Sequence, residues 1–353
     1  MTKLKEHKPS KMEALKAMTP ADRRRAIFDG IMNNAMFIII ALVIIYVAIK
    51  NPRFLSVPSL VNIISLTAAK LPIALGVGGC IILAGTDISA GRQVGLAACI
   101  SAGLQLTTNK LFPGLQVMPI PVVLLCVLVA CALVGLVNGF FMAKFKLHPF
   151  IVTLSTQLIV YGLVLLFMQL GTNGGQTLSG MSEGYRNFII KPLFTLKTSS
   201  GPVTVPRYVL YSAIITALVW VIWNKTAFGK NMYAVGSNEE AANVSGVNVS
   251  KTIILVFVMA GMLYGITGFM DAARIASVNA TTGLNYEADA IAACVIGGIS
   301  FVGGIGKVSG AIIGVLLLQI IFAGLNFLSV DANYLYIVKG LIILIACSID
   351  MRK

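Results

Sequence analysis

The sequence predicts an all-α polytopic membrane protein, and three observations carry this prediction. Of its 353 residues, 57% are hydrophobic and only 11% are charged, against roughly 25% charged residues in an average soluble domain. The mean hydropathy is +0.89. Stretches without Lys, Arg, Asp or Glu recur along the chain, near or above the roughly 20 residues that a membrane-spanning helix needs.

These stretches predict about ten transmembrane helices. Their expected positions follow from the apolar runs and from the Gly, Pro and charged residues that separate them. The predicted spans are residues 33–49, 59–84, 91–108, 120–143, 149–170, 206–223, 252–271, 287–303, 308–326 and 333–349.

The first part of the chain is basic. Residues 1–30 contain eight Lys or Arg and four acidic residues, which predicts a cytoplasmic amino-terminal tail. Residues 31–350 then form a single transmembrane domain, and ten crossings return the carboxyl terminus to the cytoplasm. We assign the net charge of +14 to this orientation and to contact with anionic membrane lipid, so nucleic acid is not an expected partner.

The polar loop 224–251, between the sixth and seventh spans, predicts a short cytoplasmic helix from Glu239 to Ser245. Its start carries N-cap residues and two acids that match the helix dipole, with Glu240 in the capping-box position, and Gly246 supplies a stop. A helix of about two turns is stable only when something packs against it. The residues of this predicted contact surface are Ser237, Asn238, Glu239, Glu240, Ala241, Ala242, Ser245 and Gly246.

The sequence lacks the signatures of an enzyme. No GxxxxGK[ST] phosphate-binding loop is present, because Gly306-Lys307 is followed by Val308 and Gly229-Lys230 by Asn231. The usual route of ATP hydrolysis therefore requires another polypeptide. The six cysteines lie in apolar runs without a CxxC pair and there are only two histidines, so no catalytic site, cofactor or metal is expected on this chain.

Ionisable residues inside spans are costly in lipid and usually face a cavity or a partner. Lys70 lies deep in the second span, so it either lines a pathway or extends its stem to the membrane surface. Asp87 and Arg92, in the connection to the third span, either form a gating pair or leave Asp87, with Ser89, to start the third helix as N-caps.

Two segments on the side of the membrane opposite the loop 224–251 are further candidates for contact with a partner. The first is the Gly-, Ser- and Thr-rich loop 171–206, the largest predicted segment outside the membrane, which is either a docking surface or a passive loop. Near the start of the eighth span, Glu287 and Asp289 are expected to cap the helix. Arg274 is then free to meet a carboxylate on this chain or on a binding protein.

Several stretches carry a family resemblance. The segment 85–98 (GTDISAGRQVGLAA), Trp223-Asn224-Lys225-Thr226, residues 241–249 and the run from Glu287 to Cys294 resemble the permease subunit of bacterial ABC sugar importers of the ribose/galactose branch. They are most similar to the galactose/methyl-galactoside type. Ile88 stands where that type usually has leucine, Glu239 where proline often precedes the Glu-Ala-Ala, and Ala288 separates the two acids.

This resemblance implies a type II permease fold, like that of the vitamin B12 importer, in the bacterial inner membrane. It also implies a second copy of this chain, a cytosolic ABC ATPase that holds ATP and Mg, and a periplasmic sugar-binding protein that determines most of the specificity. The expected mechanism is alternating access: closure of the ATPases moves the Glu239 to Ser245 helix and exposes a lumen near Lys70.

The implied substrate is galactose or its methyl galactoside, and glucose as a further substrate. Because these sugars are uncharged, weak polar contacts would suffice in the lumen, from residues such as Asn62, Thr67, Asn138 and Gln157. The alternatives are a permease for another sugar such as ribose, or, in a different class, an ion-coupled secondary carrier. A carrier of that kind should show buried carboxylates, yet Asp87 is the only acid between Asp29 and Glu183.

Overall fold

The computed structural model describes Thr19, Asp22 and residues 35–171, 173–198 and 201–350. Apart from those two residues, the predicted tail 1–30 lies outside the described part. The first half contains α1 (Ala35–Lys50), a 3-10 helix (Pro52–Leu55), α2 (Val57–Ile82), α3 (Ala90–Gln105), α4 (Ile120–Phe145), α5 (Pro149–Met168), β1 (Leu178–Ser179), α6 (Glu183–Ile190), β2 (Pro192–Thr198) and β3 (Gly201–Pro206). The second half contains α7 (Arg207–Lys225), α8 (Ala227–Ser237), α9 (Glu239–Val244), α10 (Val249–Ile275), β4 (Ser277–Val278), α11 (Tyr286–Ile296), α12 (Val308–Phe327) and α13 (Ala332–Asp350).

A helix occupies each predicted span, but the helices differ in length. Among the described residues, six are long and apolar enough to cross a membrane, judged by length and composition: α2, α4, α5, α7, α10 and α12. The predicted eighth span, 287–303, is wrong in its extent, because α11 ends at Ile296. Gly298, Gly303 and Gly304 then adopt φ of +82°, +89° and +67°, which turn the chain out of the helix.

The structure is mostly helical with two small sheets, so the all-α prediction is incomplete. Residues 171–206, predicted as a loop that is either a docking surface or passive, hold α6 and the antiparallel hairpin β2–β3. β1 pairs with β4, so that Leu178 faces Val278. This pairing fastens the segment after α5 to the end of α10.

The bundle has two ends, which we name by their elements. The α9 end carries α8, α9 and the turn between α4 and α5. The hairpin end carries β2–β3, α6 and the β1–β4 pair, and Asn51 Nδ2 also donates there to the carbonyl of Phe327, at 3.4 Å, joining the ends of α1 and α12.

Helix α10 lies at the centre of the bundle, and glycines bring its neighbours close. α4 carries Gly135 and Gly139, and α10 carries Gly261 and Gly265, each pair in a GxxxG spacing. A Cβ on Gly139 would lie 2.7 Å from the Cα of Ile254 on α10. Such spacing lets two helix backbones approach closely, which is how helices associate in lipid.

We predict that Gly139→Val lowers the thermal midpoint of the purified protein, because the added side chain has no room against α10. Overpacking of this kind costs about 1–3 kcal/mol. Gly162→Val is the matched control, since a Cβ on this α5 glycine would meet nothing within 4 Å. Thermal unfolding of both variants in detergent is the measurement, and equal midpoints would contradict the role of the glycine contact.

Candidate functional site

The α9 end contains two consecutive helices where the sequence predicted one. α8 was missed, and its N-cap is Thr226, whose side chain accepts from the amide of Gly229 at 3.2 Å. Ser237, predicted as an N-cap, is the last residue of α8. Asn238 alone caps α9, since its Oδ1 accepts from the amide of Ala241 at 2.8 Å.

The end of α9 follows the prediction more closely. The helix finishes at Val244, one residue earlier than expected, and Ser245 is its C-cap. The hydroxyl of Ser245 donates to the carbonyl of Ala241 at 2.8 Å. Gly246 has a φ of +82°, so its predicted role as a stop is confirmed.

One side of α9 packs against the bundle and the other side is exposed. Ala242 is buried at 4% exposure, whereas Val244 is 89% exposed. Glu239 and Glu240 are also exposed, and Lys146 in the α4–α5 turn forms an ion pair with Glu239. A groove of about 930 Å³ runs along this surface and is lined mainly by polar residues, among them Glu239, Glu240 and Asn243.

The base of α8 is fixed to the turn 297–307. The phenol of Tyr233 donates to the carbonyl of Gly306 at 3.0 Å, and burial raises the pKa of this phenol above its usual range. The amide of Gly304 donates to the carbonyl of Ile82 at 2.8 Å. Gly236 also contacts Ile82 and leaves no space for a Cβ. The turn, the end of α2 and α8 therefore form one contact at the α9 end.

Lys70 packs within the bundle. Its Nζ lies 3.9 Å from Oδ2 of Asp271, and its side chain is 17% exposed. The ammonium also sits over the ring of Tyr286, 2.7 Å from the ring centroid. Lys70 therefore joins α2, α10 and α11 through an ion pair and a cation–π contact, and its role in lining a pathway stays a prediction.

The residues predicted to contact a binding protein are engaged inside the chain. Arg274 Nε lies 2.8 Å from Oδ1 of the fully buried Asp271. Asp289 binds Lys339 at 2.9 Å, and Glu287 is buried at 8% exposure. Arg274 and Asp289 are therefore paired within the chain and Glu287 is buried, so none of the three is presented as a free surface charge.

Glu287 and Asp289 do not cap α11, contrary to the sequence prediction. The N-cap of α11 is Asn285, in a left-handed conformation and without a side-chain cap bond, and Glu287 and Asp289 lie in the first turn. Carboxylates in this turn still match the helix dipole.

Asp87 and Arg92 do not pair, contrary to one of the two predicted roles. The carboxylate of Asp87 accepts from the amide of Ser89 at 2.9 Å and from its hydroxyl at 2.5 Å. The guanidinium of Arg92 instead donates to the carbonyl of Ala280 at 3.2 Å. Asp87 thus holds the turn that leads into α3, although Ser89, at the N-cap position, makes no side-chain cap bond.

Ser89 is the centre of a buried polar node. Its hydroxyl donates to Asp87 and accepts from Gln93 Nε2 at 3.0 Å and from Asn138 Nδ2 at 3.1 Å. The hydroxyl thereby uses its one donor and both acceptor positions. Asn138, a predicted lumen residue, is completely buried in this node.

The remaining predicted lumen residues are separated in space and environment. Thr67 is buried and its hydroxyl donates to the carbonyl of Ile63 on its own helix at 2.8 Å. Asn62 is exposed near the start of α2, and Gln157 is half-buried on α5. The structure therefore does not bring the predicted lumen set together.

Sequence reasoning missed Tyr286, Tyr161 and the partners of the intramembrane lysines. Tyr161 lies under the guanidinium of Arg92, with 4.2 Å between the ring centroid and the guanidinium carbon. A cation inside an apolar run is a signal that an aromatic or acidic partner exists, but the signal does not say which one. In the described part of the chain, no three His, Cys, Asp or Glu side chains are placed to hold a metal ion.

The apolar helices define the class of a multi-pass membrane protein. A family model described as a branched-chain amino acid transport system / permease component matches residues 59–347. The chain belongs to this family of permease components, and it is a multi-pass protein of the inner membrane.

Curated relatives match over nearly their whole length. The galactose/methyl galactoside import permease protein MglC of Haemophilus influenzae is 42% identical over 92% of this chain and 96% of the relative. The protein of the same name from Escherichia coli K12 is 39% identical, covering 94% and 97%. The ribose import permease protein RbsC of Haemophilus influenzae is 33% identical, covering 91% and 93%. No solved structure matches this chain.

We predict that Ser89→Ala lowers the free energy of unfolding by about 1–3 kcal/mol, because it leaves buried polar groups without a partner. Ser212→Ala is the control. Ser212 is also buried, at 1% exposure, but its hydroxyl has no hydrogen-bond partner among the described residues. Thermal unfolding of both variants in detergent is the measurement, and a Ser89 variant as stable as the Ser212 variant would contradict the node.

Proposed function

We propose that this chain is the transmembrane subunit of an ATP-driven importer that carries galactose or methyl galactoside across the inner membrane. The observation that carries the proposal is α9, a short capped helix with one buried face and one exposed face at the end of a bundle of apolar helices. Family membership supports the transport class. The relatives with the higher identities are named as galactose/methyl galactoside permeases, which supports the substrate, and ribose is the second candidate.

The proposed complex contains a second copy of this chain, a cytosolic ATPase and a periplasmic sugar-binding protein. ATP and Mg would bind to the ATPase, since the sequence has no phosphate-binding loop. The α9 end would then face the cytoplasm and the hairpin end the periplasm. In this orientation the chain crosses the membrane about ten times in a type II arrangement, with both termini in the cytoplasm.

The exposed surface of α9 would receive the ATPase. Glu239 and Glu240 present negative charge there, and Val244 presents an apolar side chain that is 89% exposed. A desolvated apolar anchor with a charged rim is a common form of protein interface. When the ATPases close on ATP, α9 would move with them and change the packing of the spans, which gives alternating access.

At the opposite end, the hairpin β2–β3 is the surface that best fits the binding protein. Leu193, Phe194 and Leu196 of β2 are exposed, at 41%, 50% and 39%. Lys197 lies on this strand, and Lys191 directly precedes it. Arg274, Glu287 and Asp289 are occupied by internal contacts or buried, so the hairpin replaces them as our proposed docking surface.

We predict that Val244→Asp and Glu240→Lys each reduce the ATPase that co-purifies with the chain at least tenfold. The first change puts a charge into a desolvated contact and the second reverses a charge in the rim. Val117→Asp, in the connection before α4 at the hairpin end, is the control and keeps the ATPase bound. If both α9 variants bind the ATPase as the wild type does, α9 is not the contact surface.

We predict that cells relying on this complex take up labelled galactose in preference to labelled ribose. The assay uses cells without other uptake systems for either sugar and expresses the permease with its ATPase and its binding protein. Unlabelled methyl galactoside should compete with galactose. Preferential uptake of ribose would overturn the substrate assignment but not the transport class.

A further inference from the structure

Two polar side chains of α5 lie in the middle of a candidate membrane span. Gln157 and Tyr161 are one turn apart and therefore share a face of the helix. Tyr161 is twelve residues after the first residue of α5 (Pro149–Met168), roughly 18 Å along the helix axis. Both are half-buried in the protomer, so this face of α5 is not sealed by the chain itself.

Arg92 and the segment after β4 reach the same depth. The guanidinium carbon of Arg92 lies 4.2 Å from the ring centroid of Tyr161. The same guanidinium donates to the carbonyl of Ala280 at 3.2 Å. The chain between β4 and α11 therefore returns into the bundle to the level of Tyr161, and α11 starts from there.

This returning segment forms a polar turn. The amide and the hydroxyl of Thr281 donate to Oδ1 of Asn279, at 3.0 and 2.8 Å. Asn279 and Thr281 are both exposed in the protomer. A turn of this kind presents its hydroxyl, its side-chain amide and backbone groups to whatever lies beside the protomer.

Lipid cannot cover this face of α5 and the polar turn beside it. Among the described residues, the amide of Gln157 and the hydroxyl of Tyr161 have no hydrogen-bond partner, and Arg92 has no carboxylate within ion-pair distance. Unpaired polar groups and irregular backbone at membrane depth occur only against protein or a water-filled cavity. This face must therefore meet water, another polypeptide or both.

We infer that Arg92, Gln157, Tyr161, Asn279 and Thr281 form a monosaccharide subsite on the wall of the transport pathway. The inference rests on the proposed function and specifies where the sugar passes. The subsite is open on one side in the protomer, and a second copy of the chain would complete the wall of the pathway opposite it.

The chemistry of this surface suits an uncharged sugar. An aromatic ring offers an apolar face to the C–H groups of a pyranose, and a tyrosine keeps a polar tip. The guanidinium has five N–H donors, of which one is used on Ala280, and the amide of Gln157 offers donors and an acceptor to sugar hydroxyls. A few convergent polar groups beside an aromatic surface are typical of small-molecule sites.

The first experiment tests whether water reaches the proposed subsite at Gln157. Gln157→Cys and Leu158→Cys are made in a background that carries Cys126→Ser and Cys347→Ser, which removes the two cysteines that are not buried. The full complex in liposomes is treated with a membrane-impermeant maleimide. We expect Gln157→Cys to react at least tenfold faster than Leu158→Cys, which lies one position further along α5 and whose native apolar side chain is 66% exposed. Equal rates at the two positions would overturn the inference.

The second experiment tests whether the surface contacts sugar. We expect Tyr161→Ala to lower the maximal rate of galactose uptake at least tenfold, and Tyr161→Phe to retain most of it, with equal amounts of complex in the membrane. Tyr46→Ala is the control, because Tyr46 is 55% exposed on α1 and away from this surface. If Tyr161→Ala does not assemble, Tyr161→Leu, which keeps apolar volume without a ring, replaces it.

The outcomes separate the subsite from the function on which it rests. If Tyr161→Ala, or Tyr161→Leu in its place, takes up galactose at the wild-type rate, the subsite is overturned and the proposed function stays intact. Absence of galactose uptake by the wild-type complex overturns the proposed substrate, and the labelling rates at Gln157 and Leu158 still decide whether a wet pathway wall exists.

Discussion

Close backbone contact with α10 is the constraint on which the rest of the structure depends. Apolar side chains gain little by leaving lipid for another apolar surface, so helices in a membrane associate through close packing. α4 approaches α10 at Gly139, α3 approaches at Gly268, and α2 approaches at Gly76, where a Cβ would meet the ring of Tyr264 at 2.6 Å. These contacts make α2, α3, α4 and α10 one closely packed group.

The breaks in the helices are supported by polar side chains from neighbouring elements. The chain between α2 and α3 is held by the Ser89 node, and the carbonyl of Thr86 accepts from the hydroxyl of Thr153 at 3.3 Å. The turn between α11 and α12 is held by Ile82 and Tyr233. Backbone that leaves the helix inside a membrane protein needs such partners. Both breaks meet α8, so the α9 end is where the least regular parts of the bundle are joined.

The sequence was most informative where local chemistry decides the structure. The long apolar runs predicted the helices, and the preferences of Asn238 and Gly246 predicted the ends of α9. α8 was missed although Phe228, Met232 and Val235 recur at helical spacing, because residues 227–237 also contain two glycines and lie in a polar loop. Residues distant in the sequence determine the rest: Lys70 could be recognised as a buried cation, but its partners Asp271 and Tyr286 depend on how three helices pack. For the same reason, the sequence left open whether Arg274 meets a carboxylate on this chain or on a binding protein, and the packing of α10 brings it to Asp271.

The contacts of α9 relate the proposed ATPase surface to the proposed subsite. Glu239 is paired with Lys146, and the turn that carries Lys146 leads directly into α5, which carries Tyr161. Arg92, by contrast, belongs to α3, which packs closely against α10 at Gly268. α9 also leads into α10 within four residues, from Ser245 to Asn248, so in the proposed mechanism a displacement of α9 would reach both α5 and α10. The cation–π contact joins α3 to α5, so in the proposed mechanism it would respond to any displacement that moves these two helices relative to each other.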